Sequence, residues 1–524
     1  MTGLTGAGDL ELFAHRFGAI ARAMGERLRR TSLSTNVKER LDFSCGVLDR
    51  HGSLVVNAPH IPVHLGALGL CVRRVAELRF EGRALQDGDT VVTNHPAYGG
   101  SHLPDVTLVT PVFESAGAGQ LLGYVASRAH HAEIGGTRPG SMPPDATRLE
   151  EEGVVIEPML MRTAAGPRWQ AVRSVLSAGP HPSRGVDENL ADLRAGLAAN
   201  LGGAEALQAL ARKYGAERVG ERMAGLRRHA GERMAAALRR FGSFDGEAIE
   251  RLDDGWPIAV RLSIRDGRAV IDLSGSGDVH RGNLNAPEAV VRSAVLYVLR
   301  LALAEPLPLN EGLLDPVELR LRPGLLAPEF PAAAADCPAV VGGNVETSQR
   351  LVDALLRAFG LAACSQGTMN NLLFGNQHFS YYETVAGGCG ATADSDGADA
   401  VHSHMTNTRI TDPEVLEARY PVRLERFAVR RGSGGAGHHR GGDGVVREIV
   451  FLEALQGSIL SQHRIEEPFG MEGGQPGQRG SQRLIRTSGE VEHLPGIAAF
   501  DVEPGDRLVL ETPGGGAWGT PRPG

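Results

Sequence analysis

Lysine is nearly absent. Only Lys38 and Lys213 occur, so almost all of the 54 basic residues are arginine, and 62 acidic residues leave a formal charge of −8. A chain that binds nucleic acid along its surface carries a basic excess, and this one does not. Aromatics make up 5% of the residues, too few for a carbohydrate-binding platform built on stacking. The five cysteines, Cys45, Cys71, Cys337, Cys364 and Cys389, are far apart and never form C-x-x-C. That argues against a disulfide framework and a cysteine-rich zinc site, and it predicts reduced thiols in a cytoplasmic protein. No arginine- or lysine-led apolar stretch opens the chain, and no apolar run reaches about 18 residues without a charge. Neither a secretory signal nor a membrane span is expected.

What is present is ordinary for a soluble globular protein. Hydrophobic residues are 42% and charged residues 22% of 524, which rules out wholesale disorder. At about 150 residues per domain the length allows three to four domains, or two large ones. Glycine is abundant, at 69 residues, without a Gly-x-y period, so tight turns and close backbone approaches are expected, not a collagen-like rod.

The pattern along the chain predicts an α+β fold with mixed sheets, a helical insert and a β-rich C-terminal region. Leu10, Phe13, Phe17, Ile20, Met24 and Leu28 fall at steps of three or four, which predicts a helix over 9–30 with Asp9 as N-cap. Short β-like runs follow, Leu54–Val56, Thr90–Val92, Val106–Val109 and Leu122–Val125, and then a Gly/Pro/Met loop over 133–153. Residues 186–242 read as helical. A hairpin is predicted from Ile258–Ile264 and Ala269–Leu273 around Asp266-Gly267. Helices are expected over 287–303 and 345–360, and strands such as Val445–Phe451 and Arg507–Leu510 near the end. The corresponding regions are 1–180, 181–250, 251–420 and 421–524, expected to interweave.

The richest chemistry lies in NHPAYGGSHLPD and SRAHHAEIGG, within residues 94–136. His102 and Asp105 are three apart on a short loop held by Gly99-Gly100 and Pro104. His130 and His131 come one strand later, and neighbouring strands run about 4.8 Å apart, so a second histidine can meet the first pair. Two histidines and one aspartate suit a divalent transition metal with open positions. Glu133 is a candidate orienter or general base. His60 and His64 add to the local histidine density. A second cluster is VGGNVETSQR at 341–350, where Gly342-Gly343 precede a helix, Asn344 is read as its cap, and the helix N-terminus is read as anion-friendly. QGTMNN at 366–371 and HSHMTNTR at 402–409 suggest a lined polar cavity. The run RRGSGGAGHHRGGDGVVR at 430–447 lacks the lysine of a phosphate-binding loop and is not read as a nucleotide site.

These motifs together resemble one family. NVKERLDFSCGVLD at 36–49, PHIPVHLG at 59–66, GGSHLPD at 99–105, RAHHAEIGG at 128–136, PGSMPP at 139–144, GGNVETSQR at 342–350 and RRGSGGAGHHRGGDGVVRE at 430–448 are similar to the hydantoinase B/oxoprolinase family over essentially the whole chain. The resemblance implies the B subunit, or the C-terminal half, of an ATP-dependent cyclic-amide hydrolase of the 5-oxoprolinase or N-methylhydantoinase type. It implies a hetero-oligomer with an actin-like hydantoinase A subunit that binds ATP and phosphorylates a small cyclic amide. It also implies a divalent metal (zinc, manganese or iron) on His102, Asp105 and His130. A base is then sought in His131 or Glu133, and contacts to substrate or phosphate in Asn344, Thr347 and Arg350. Two departures stand out. The chain has Asn94-His95-Pro96 where the family usually has Asn-Asp-Pro, and Glu133 where aspartate is more usual. A subunit of an ATP-dependent ketone carboxylase and a non-catalytic scaffold are the alternative readings.

Overall fold

The computed structural model describes residues 7–58, 61–114 and 119–521. Its first sheet has seven antiparallel strands in the order Leu54–Asn57, Phe43–Asp49, Leu121–His130, Asp105–Phe113, Thr90–Thr93, Met159–Thr163, Gly166–Pro167. Both faces of its central strands are buried, so these strands read as near-continuous apolar runs instead of alternating ones. One face is covered by the helices Ala7–Thr31 and Val186–Tyr214. Phe13, Phe17, Met24 and Leu28 of the first helix pack with Val47, Val125 and Ala199, as the three-four spacing predicts. The helix is already under way at Ala7, so Asp9 is not its cap. Asp9 lies in the first turn and pairs with Arg218 at 3.0 Å and Arg222 at 2.6 Å.

The expected helical stretch consists of Val186–Tyr214 and Ala216–Arg240. The hairpin pairs Pro257–Arg265 with Arg268–Asp272, and Asp266 and Gly267 take the positive φ values, 50° and 78°, that a two-residue hairpin turn requires. This second sheet is mixed, because Val317–Arg320 joins Arg268–Asp272 in parallel. The third sheet runs Ser380–Thr384, Asn371–Gly375, Leu455–Leu460, Ile497–Val502, and therefore joins residues on both sides of position 420. The helix Glu288–Leu303 is apolar nearly all round and lies buried in the largest core, beside Ser348–Phe359. The architecture is α+β. Among the described residues no helix is long and apolar enough to cross a membrane.

One local expectation is corrected. The helix leading to Phe359 begins at Val341, and residues Gly343–Thr347 form a single π turn within it. Asn344 is therefore inside the helix, its N–H donating to Val340 O at 3.3 Å, and is not a cap. The helix N-terminus is already filled from within the protein. Val340 N and Val341 N donate to Glu152 Oε1 at 2.9 and 2.8 Å. Sequence spacing gave no sign of this carboxylate, because it comes from almost two hundred residues upstream.

Burial pushes the Glu152 carboxyl up to about 8 from its ordinary 4.5, despite those two bonds. A raised folded pKa means stability that is complete below 4.5 and is lost as pH climbs through 8. Glu152→Gln keeps an accepting oxygen and removes the titration. Its Tm should fall less than wild type between pH 5 and 8.5, by about 2–4 °C in differential scanning calorimetry. Parallel pH slopes for the two proteins would contradict this.

Candidate metal centre

The site begins with a turn. The 3₁₀ segment Pro96–Tyr98 ends at Gly99, which takes φ 85° with its α-carbon against the neighbouring helix. A Cβ there would lie 2.6 Å from Cys71 N. This sharp reversal delivers Ser101 and His102 to the start of the strand Asp105–Phe113. That strand pairs with Leu121–His130 so that Asp105 stands directly opposite His130. Paired residues on neighbouring strands put their side chains on one face, close together. Asp105 Oδ1 lies 3.2 Å from His102 Nε2 and 3.3 Å from His130 Nδ1. One donor atom from each of the three falls within 4.8 Å of the others, and all three residues are buried.

The second oxygen of Asp105 is fixed separately. Oδ2 accepts from Ser101 Oγ and lies 3.1 Å from His64 Nε2. His64 Nδ1 meets Ser44 Oγ at 2.9 Å. Asp105 thus presents Oδ1 to the two ligand histidines, while Ser101 and His64 set its orientation, as outer groups do around bound metals. Burial alone would raise the Asp105 carboxyl, but the His102, His64 and His130 imidazoles around it hold it well below the usual range. Burial also lowers His130, which favours the neutral ring that a metal needs.

The residues fit a cation on a second ground. Both ring nitrogens of His102, Nε2 of His130 and Oδ1 of Asp105 are buried without a hydrogen-bond partner. Each such atom costs about 1–3 kcal/mol when left unpaired, and a cation held between them removes that cost for the atoms that bind it. The cavity beside them is walled by Asp42, Asn344, Met369, Tyr382, Met405 and Thr406, and leaves about 20 Å³ for the centres of water molecules. That is room for one water or one ion. Asn344 Oδ1 is buried and unpartnered at this wall. Asp42 Oδ2 lies 4.0 Å from His130 Nδ1. Tyr382 stacks on the His130 ring, with centroids 4.9 Å apart and 20° between the planes. Its hydroxyl donates to Asn371 Oδ1, and Asn371 Nδ2 donates to Glu346 Oε1. The Arg40 guanidinium lies 4.4 Å from the centre of the Tyr382 ring.

The other sequence candidates are placed elsewhere. His131 Nδ1 meets Asn189 Nδ2 at 3.1 Å, and Asn189 also donates to Glu133 O. The Glu133 carboxylate accepts from Gly135 N, Gly140 N, Arg184 Nη1 and Ser380 Oγ, all within 3.1 Å. Neither side chain lines the cavity. Thr347 Oγ1 donates to Leu284 O at 2.6 Å. Arg350 is engaged by Arg251 O, Glu250 and His463. His95 accepts from Ala97 N and faces Glu157, so it serves the 96–98 turn and does not join the donor set. His60 lies outside the described residues. In the 430–447 run the glycines answer to backbone packing: a Cβ on Gly441 would sit 1.9 Å from Gly515 O. His64 and Asp42 both fall within motifs visible in the sequence, although spacing alone assigned neither a role. Arg40 falls in the same motif as Asp42, also without an assigned role, and Tyr382 gave no such signal.

The family model for hydantoinase B/oxoprolinase matches residues 7–521. The chain belongs to the hydantoinase B/oxoprolinase family. It is 45% identical to 5-oxoprolinase 1 of Arabidopsis thaliana over 98% of its own length and 42% of that protein. The chain thus spans about two fifths of the length of the 5-oxoprolinases it matches. The crystal structure of an ATP-dependent caprolactamase from Pseudomonas jessenii superposes with a TM-score of 0.87 at 26% identity, covering 99% of this chain and 92% of that one. A nucleotide-free acetone carboxylase gives 0.86 at 17% identity, covering 97% and 75%, a likeness of fold.

The geometry separates two kinds of variant. His102→Ala and His130→Ala should each lose one equivalent of zinc or manganese binding in equilibrium dialysis, the one held by this donor set. His64→Ala, which touches only the far oxygen of Asp105, should weaken it by about 10- to 100-fold. Equal affinities for wild type and His102→Ala would contradict the donor set.

Proposed function

We propose that this chain is the ring-opening component of an ATP-dependent cyclic-amide hydrolase of the 5-oxoprolinase kind, acting with an ATP-binding component of the hydantoinase A kind. The observation that carries this reading is the convergence of His102, Asp105 and His130 beside a buried cavity, in a chain so similar to a 5-oxoprolinase over nearly all of its length. A divalent cation on these donors (zinc, manganese or iron) supplies Lewis acidity, which polarises a substrate oxygen and acidifies water.

A lactam resists water because resonance strengthens its C–N bond and blunts its carbonyl carbon. Phosphorylation of the lactam oxygen on the partner turns that oxygen into a leaving group. Water then adds to that carbon and the ring C–N bond breaks, the nitrogen taking a proton and leaving as the amine, which gives an acyl phosphate. A second water adds to the acyl carbon and expels inorganic phosphate, leaving the carboxylate, so two waters are consumed per ring. In this scheme Asp105 and its His64 and Ser101 supports fix the ligand geometry. Asp42, at the cavity wall, takes the proton from the attacking water, while His131 and Glu133 hold the ligand loop from behind. Asn344 Oδ1 accepts from the ring N–H. A ring needs more room than one water, and the flexible thioethers of Met369 and Met405 are the wall that gives way.

The test is reconstitution of the full chain with its A-type component, ATP, metal and 5-oxoproline, with phosphate and amino acid release as readouts. Activity should require both components, and His102→Ala should lower it by about 10³-fold or more. Hydrolysis without the ATP component, or an unaffected His102→Ala, would overturn the reading. Dependence on bicarbonate with a ketone would favour a carboxylase instead.

A further inference from the structure

A second donor cluster lies apart from the first and shares no residue with it. Asp353, Cys364 and His463 are buried and bring one donor atom each within 4.8 Å of the others. They come from the helix Ser348–Phe359, the segment after it, and the turn that follows the strand Leu455–Leu460. Cys364 Sγ lies 3.5 Å from His463 Nε2. A tetrahedral ion with bonds of about 2.3 Å to sulfur and 2.0–2.1 Å to nitrogen separates those two atoms by about 3.5 Å.

The far side of two of these ligands is already tied. His463 Nδ1 donates to Glu466 O at 2.8 Å, which leaves the Nε2 lone pair facing the cluster. Asp353 Oδ1 accepts from Ser365 N at 3.0 Å and meets His404 Nε2 at 2.9 Å. Asp353 Oδ2 is left buried with no partner, in a residue with no exposed surface. Outer groups that orient ligands in this way are the mark of a built metal site. Gly367 keeps the space open: a Cβ there would sit 2.4 Å from His463 Nε2 and 3.1 Å from Asp353 Oδ2.

One cation competes. Arg350 Nη1 donates to His463 Nε2 at 2.6 Å. An ion on His463 Nε2 displaces that one bond, while Arg350 Nη2 keeps its own to Arg251 O at 2.5 Å and Glu250 Oε2 at 3.3 Å. Asp353, Glu250 and a Cys364 thiolate would set three negative charges against the divalent ion, Arg350 and the partly exposed Arg357, which also pairs with Glu250 at 2.9 Å.

We propose that Asp353, Cys364 and His463 form a second divalent-metal site, with the sulfur, nitrogen and oxygen donors that zinc favours. Binding exchanges the Cys364 thiol proton, released to solvent, for the ion. The proposal is independent of the catalytic reading, because the first donor set contains no sulfur.

Cobalt(II) makes that difference visible. The full chain, stripped with a chelator and reloaded with cobalt, should show a thiolate-to-cobalt charge-transfer band in the near ultraviolet. The band should persist in His102→Ala and in the control Cys389→Ser, and be lost in Cys364→Ser and His463→Gln. Equilibrium dialysis should give about two ions per wild-type chain and about one for His102→Ala or Cys364→Ser. If Cys364→Ser does not fold, His463→Gln and the wild-type spectrum decide. Absence of the band in wild type, or its survival in Cys364→Ser or in His463→Gln, would overturn the proposal.

Discussion

Asp105 carries a buried negative charge among three imidazoles, and much of the surrounding structure follows from that arrangement. Taking a carboxylate out of water costs several kcal/mol unless partners replace the solvent. Here the replacement is split between its two oxygens. Oδ2 is held by Ser101 and approached by His64, and Oδ1 faces His102 and His130. The first half is a satisfied hydrogen-bond network. The second half leaves Asp105 Oδ1, both ring nitrogens of His102 and Nε2 of His130 buried without a hydrogen-bond partner. That imbalance, among buried side chains, is what suits them to a cation.

Holding the arrangement draws on parts of the chain distant in sequence. Strand register alone places Asp105 opposite His130. The Gly99 turn, packed on the helix Ala67–Glu77, brings in His102. Tyr382, from the third sheet, stacks on His130 and is tethered through Asn371 to Glu346 in the π turn. That turn also carries Asn344 to the cavity wall, and its helix is anchored at the start by Glu152. The site is therefore built at the meeting of the first sheet, the third sheet and the helix Ser348–Phe359, with the helix Glu288–Leu303 packed behind the latter. A π turn in such a place is consistent with its frequent use at functional sites.

The sequence was most legible where the signal is local. Helices with a three-four apolar step and the Asp266-Gly267 turn stand where their pattern puts them, give or take a few residues. The nearness of His102 and Asp105 to the 130–131 histidine pair was legible because a loop, a strand and the strand spacing suffice to bring them together, and the family resemblance singled out His130. What stayed hidden depends on contacts between distant segments. Glu152 takes the helix N-terminus that Asn344 was expected to cap, and Glu133 spends its carboxylate on the 135–140 loop and Arg184 instead of the cavity. Arg350 and Thr347 look like ligand contacts in a polar motif, yet their donors point to Glu250, Arg251, His463 and Leu284. Spacing reports which residues are near one another along the chain, not which neighbour they choose in a buried network.

The central claim, that two imidazoles and one carboxylate grip a single divalent cation, is tested most directly by crystallography of the metal-loaded chain at the absorption edge of that metal. The account predicts an anomalous difference peak between His102, Asp105 and His130, within about 2.0–2.2 Å of a ligand atom from each. A metal-loaded crystal with no peak there, or with the three side chains turned away from the ion, would contradict it.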